Sequence, residues 1–144
     1  MAGTALVGAY GSYSSGKAQQ DMYEYEAKQG QADARAEAKM AVVESERIRK
    51  QGKLAAAEAS VGMAANGGDL ASAGSLAINR EIYRGAEEDA YFALIGGEDR
   101  SKRMLAQADL NKAKGKAAYQ AGVFGAVQQL GSGAAGAWKQ AKGI

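Results

Sequence analysis

The sequence predicts an all-α fold: a long antiparallel helical hairpin with Gly/Ala-rich uncharged ends, assembling into a ring or tube. Three observations lead there. Long proline-free runs rich in Ala, Glu, Lys, Arg and Gln flank a central break, and these residues are strong helix formers. The break, Asn66-Gly67-Gly68-Asp69-Leu70-Ala71-Ser72-Ala73-Gly74-Ser75, has the chemistry of a helix stop followed by a helix start. The first run also repeats small residues at heptad spacing, and such a seam lets two backbones approach closely.

Residues 1–16 carry no charge. Their glycines and serines make a poor isolated helix, and the stretch is too short and too polar to span a bilayer alone. It lacks the positive start and continuous apolar block of a secretory signal. Two readings stand side by side: a frayed terminus, or a segment ordered only by partners or lipid.

Residues 17–65 form the first expected long helix. Every seventh residue from Ala27 gives Ala27, Ala34, Ala41, Ile48, Ala55 and Gly62, flanked by Gln31, Ala38, Ser45, Gly52 and Ala59. Charges occupy the other faces. A seam of Ala and Gly buries little area per residue, so the helix needs several neighbours to be stable. The basic group Arg47, Arg49, Lys50 and Lys53 reads as a solvated helix face rather than a nucleic-acid contact.

Residues 66–75 form the expected turn, with Asn66, Gly67, Gly68 and Asp69 at its centre. Asn and Gly tolerate the left-handed conformation that ends a helix. Asp69, Ser72 or Ser75 can accept the orphan N–H groups of the next helix. The competing arrangement is a kink between collinear helices. About ten residues of Gly, Ala and Ser are too many for a kink, which favours a fold-back with both chain ends opposite the turn.

Residues 76–116 form the second expected long helix, richer in large apolar groups. Leu76, Tyr83, Ala90, Leu94, Gly97, Met104 and Ala108 follow one heptad-like line, while Ile78, Ile82, Phe92 and Ile95 lie off it. Apolar groups on two faces imply two packing partners: the first helix and a neighbouring subunit. Gly96-Gly97 interrupts the run, either as a kink or as a place where another backbone comes close. The acidic run Glu87-Glu88-Asp89 and the basic Arg100, Lys102 and Arg103 read as exposed or intersubunit charge.

In residues 117–144, the stretch from Ala117 to Trp138 is uncharged. As a helix it is about 30 Å long, the thickness of a hydrocarbon core. Tyr119 and Trp138 sit near its ends, where interface aromatics belong. Small residues recur at four-residue spacing, which favours close helix association. Gln120, Gln128, Gln129 and Ser132 are polar, so a single copy inserts poorly, whereas a ring of copies can turn them toward a water-filled lumen. The expected membrane- or lumen-facing positions are Tyr119, Gly122, Phe124, Gly125, Gln128, Gln129, Leu130 and Trp138. The alternative is an Ala/Gly-rich packing segment inside a soluble assembly.

Chemistry is not expected. The chain has no Cys and no His, which removes thiolate chemistry, a conventional catalytic triad and the commonest metal ligand. No acidic cluster has calcium-loop spacing, and the glycine pairs lack a nucleotide-loop context. Neither an enzymatic activity nor a cofactor is therefore expected. The net charge of +2 sets up no field demanding nucleic acid, and 7% aromatics is low for a chain that buries its own core.

The residues also carry a resemblance. An uncharged Ala5-Leu6-Val7-Gly8-Ala9-Tyr10-Gly11 start leads into a long Ala-rich helix. The central turn follows, then a helix with Tyr and Arg, then Gly115-Lys116-Ala117, Gly122-Val123-Phe124-Gly125, Gly131-Ser132-Gly133 and Trp138-Lys139. This resembles the small internal virion proteins, or ejection proteins, of short-tailed bacteriophages, over nearly the whole chain. The resemblance implies a homo-oligomer packaged in the virion and released at infection. It would form a pore or conduit in the host outer membrane, joined to other ejection, tail or portal proteins. Phage DNA would pass through it without sequence-specific binding. The alternative is a virion protein that never meets lipid, a helical adaptor or tail-lumen component. A third reading is a soluble coiled-coil partner module.

Overall fold

In the computed structural model, residues 2–141 are described, with side chains described for residues 6–132. Two α-helices, α1 (Ala2–Ala65) and α2 (Ala73–Ala141), pack antiparallel in a hairpin, and no strand occurs among the described residues. The helices are longer than the sequence boundaries suggested. Residues 2–16 continue α1 without a break, and α2 starts at Ala73 and runs past 116 to Ala141. Gly96 and Gly97 lie within continuous helix.

The turn spans residues 66–72, and hydrogen bonds account for it closely. Gly67 alone among the described residues has a left-handed φ, +73°. The Gly68 N–H donates to the Met63 carbonyl at 2.9 Å, and the Gly67 N–H to the Ala64 carbonyl at 3.0 Å. This is the Schellman pair, which satisfies carbonyls that the end of α1 leaves free. The Asn66 side-chain amide adds a bond to the Gly62 carbonyl at 2.8 Å. Asp69 then shapes the turn: its Oδ1 accepts from the Ala71 N–H at 2.9 Å. Ser72 is the N-cap of α2, its Oγ accepting from the Ser75 N–H at 3.2 Å. The Ser72 hydroxyl donates to Ser75 Oγ, whose own hydroxyl donates to the Asp69 carbonyl, both at 2.9 Å. Of the three candidate caps, Ser72 caps the helix, Asp69 makes the turn, and Ser75 ties the two together.

The chain divides into two compact units. One joins Met1–Gln31 to Leu105–Ile144, and the other is Ala32–Met104. In the second, a Cβ added to Gly52 would overlap Ala86, and one added to Gly97 would overlap Ala41. Eleven residues back along α1, from Gly52 to Ala41, match eleven forward along α2, from Ala86 to Gly97. That is a fixed antiparallel register. In the first unit two backbones come together where Gly16 meets Gly122. A Cβ on Gly16 would lie 2.8 Å from the Gly122 Cα and 2.9 Å from the Ala118 carbonyl oxygen.

The interior is made of methyl groups. Among the described residues, the buried apolar ones are Ala9, Ala27, Ala34, Ala41, Ala56, Ala90 and Ala108, joined by Ser45, Ser75 and Ser101, and the largest fully buried side chain is Ser45. At ~0.8 kcal/mol per buried carbon, seven methyls contribute on the order of 6 kcal/mol. Large apolar side chains lie outside: Phe92 is 68% exposed, Val43 65%, Met40 63% and Phe124 75%.

Candidate assembly surface

Each helix has two apolar faces of different size, and the site follows from that. On α1, the side facing α2 carries Ala34, Ala41, Ser45, Gly52 and Ala56, all buried in the second unit. Two residues along a helix turn a side chain by about 200°. Val43 is two residues from both Ala41 and Ser45, and Leu54 is two from both Gly52 and Ala56. Both therefore turn off the line of contact with α2 and are exposed, Val43 at the rim of an open groove that Phe92 of α2 also borders. On α2, Phe92 is two residues from buried Ala90 and is exposed in the same way. Apolar groups on opposite sides of one helix cannot all be served by one partner helix.

The expected seam positions separate along α1. Ala27 is buried in the first unit, and Ala34 and Ala41 in the second. Ile48 is half-buried and Ala55 is exposed; the contact line passes instead through Ser45, Gly52 and Ala56. A strict seven-residue repeat falls about 20° behind a straight helix at each step, so it leaves the interface after a few repeats. A step of eleven runs about 20° ahead instead, so seven from Ala34 to Ala41 followed by eleven from Ala41 to Gly52 makes five whole turns and keeps the line in place. On α2 the line Leu76, Tyr83, Ala90, Leu94, Gly97, Met104, Ala108 splits likewise. Ala90, Gly97 and Ala108 are buried, whereas Leu76 and Tyr83 are exposed.

Two of the charges expected to be exposed or intersubunit, Glu87 and Arg100, are exposed and pair across the hairpin. Arg49 Nε donates to Glu87 at 2.9 Å, and Arg100 Nε donates to Glu37. Both pairs tie α1 to α2 at partly exposed positions, where an ion pair contributes at most about 1 kcal/mol. Arg47 grips Glu44 of its own helix through two N–H donors, at 2.8 and 2.6 Å. Those bonds hold the Glu44 carboxyl below its usual range. Between these pairs lies an open cleft of about 540 Å³, lined by Met40, Val43, Phe92, Gly96 and Arg100 among others.

The uncharged ends meet in the first unit. Tyr119 packs edge-on against Tyr13 with ring centroids 6.0 Å apart. Gly122 seats on Gly16, and Gly125 lies over Ser12. The Gln129 amide donates to Ser12 Oγ at 3.2 Å. Phe124, Gln128 and Leu130 are exposed. Trp138 lies on the backbone of α2, its side chain outside the described residues. Among the described residues, no helix is long and apolar enough to cross a membrane.

Sequence reading missed two features. One is the Gly16–Gly122 crossing, signalled only by two glycines in segments that each read as weak helix. The other is the pairing of Arg49 and Arg100 with acids on the opposite helix, which needs the register to be known. Comparison with protein-family models, curated proteins and solved structures finds no match.

Proposed function

We propose that the chain is a small virion protein of the ejection type. Its copies assemble into a ring or tube that serves as a pore or conduit in the host outer membrane for genome delivery. In this reading it is carried in the virion, passes to the outer membrane and periplasm on ejection, and docks on other ejection, tail or portal proteins. The observation that carries the reading is the inversion of side-chain size: among the described residues nothing larger than Ser45 is fully buried, while Phe92, Val43 and Met40 face outward. A hairpin built this way gains its main apolar burial from neighbours. Near-neutral charge suits a wall that DNA passes without being held, since strong phosphate contacts would retain it.

A second reading is a helical adaptor or tail-lumen component that never meets lipid. The lack, among the described residues, of any helix apolar enough to span a membrane favours it. Electron microscopy of the purified full chain, combined with flotation on anionic vesicles, decides between them. Closed particles that float with the vesicles support the conduit. Closed particles that stay in the dense fraction support the adaptor. Failure to form particles under any condition overturns both.

A further inference from the structure

We infer that neighbouring copies join head to tail, with the outward face of α1 in one copy seated on the outward face of α2 in the next. This rests on the assembly proposed above and specifies its contact. Within residues 32–104 the hairpin register is fixed by Gly52 over Ala86 and Ala41 over Gly97.

Outward positions lie two residues from seam positions. Lys50 stands two residues before Gly52, and Glu88 two after Ala86. They therefore lie at one level, on opposite outer sides of the hairpin. Val43 and Ile95 stand two residues inside Ala41 and Gly97 and share a level in the same way. A second copy placed alongside, parallel and without axial shift, brings Lys50 beside the neighbour's Glu88 and Val43 beside its Ile95.

Charge selects this pairing over the other two. Along α1, Arg47 and Arg49 are taken by Glu44 and Glu87 of the same chain, so in residues 46–58 Lys50 and Lys53 are the basic groups left over, beside acidic Glu46 and Glu58. Along α2, residues 80–89 hold Arg80, Arg84, Glu81, Glu87, Glu88 and Asp89, with Glu87 bonded to Arg49 and Arg84 shared by Glu81 and Glu88. An α1-on-α1 contact brings the Lys50 and Lys53 groups of two copies together, and α2-on-α2 does the same for Glu88 and Asp89. An α1-on-α2 contact instead sets Lys50 and Lys53 against Glu88 and Asp89. Lys50 and Lys53 have no ion-pair partner among the described residues, so they are available to a neighbour. A contact between two different faces repeats from copy to copy, and it closes into a ring when the rotation per copy allows.

The absence of cysteine makes the test direct. Full-length Lys50→Cys and Glu88→Cys chains are oxidised under mild conditions, separately and as an equimolar mixture. The expected result is a disulfide-linked dimer in the mixture, at least about tenfold above either chain alone, because only closely facing thiols can bridge. A chain carrying both substitutions should give a ladder of multimers, whose highest rung reports the subunit number. Strong self-linking of Lys50→Cys alone would mean α1 on α1 and overturn the inference, as would self-linking of Glu88→Cys alone. Particles that assemble without any cross-link also overturn it while leaving the proposed function standing. If the unsubstituted chain forms no particles, it is the assembly reading itself that fails.

Discussion

Replacing Gly96 and Gly97 by alanine, one at a time, measures how tightly α1 and α2 are pressed together. The two residues are adjacent in one continuous helix, so the propensity gain is the same: about 1 kcal/mol for exchanging Gly for Ala. Their surroundings differ. A Cβ on Gly96 meets only the Arg100 Nη1 at 3.5 Å, an ordinary contact with the end of a flexible side chain. A Cβ on Gly97 overlaps the Ala41 methyl and comes 3.3 Å from the Ala41 Cα. The helices must part to make room, and overpacking of this kind costs about 1–3 kcal/mol. Gly96→Ala is therefore expected to stabilise by about 1 kcal/mol. Gly97→Ala should fall about 1–3 kcal/mol below it, at or under the starting stability. Urea unfolding followed by circular dichroism reads the difference, at one protomer concentration because assembly contributes to apparent stability. Equal gains from both substitutions would refute the close approach of α2 to Ala41.

Three further outcomes follow. Gly67→Ala places a Cβ at φ +73° and is expected to cost about 1–2 kcal/mol, and Ser72→Ala removes the N-cap of α2 at a cost of about 1 kcal/mol; both are read by the same unfolding curves. Glu87→Gln should change stability by less than about 1 kcal/mol, because the Arg49 pair it breaks is partly exposed.

Much of the fold is legible in the sequence because local chemistry specifies it. Asn66-Gly67-Gly68 followed by Asp69 and Ser72 is a helix stop and start in residue types alone. The small-residue spacing from Ala27 to Ala41 announces a close helix contact. Three things were hidden for physical reasons. Residues 2–16 look like poor helix because glycine is judged by propensity, whereas here Gly16 is useful for its missing side chain, which lets Gly122 approach. The contact line leaves Ile48 and Ala55 because a seven-residue period does not match 3.6 residues per turn. The partners of Arg49 and Arg100 lie 38 and 63 residues away, and only the register of the folded hairpin brings them together. The outward apolar face was legible only in part: large residues on α2 stood out, but Val43 and Leu54 became interpretable once the seam was placed.

In the proposed assembly, the interior of this protein is completed by other copies of it. Sedimentation of the full-length chain across a wide dilution series, with helicity recorded at each point, tests this most directly. Closed multimers are expected at high concentration, with helix content and unfolding cooperativity falling together as they dissociate. A monomer that stays fully helical and unfolds in one sharp transition at the lowest concentration would contradict it.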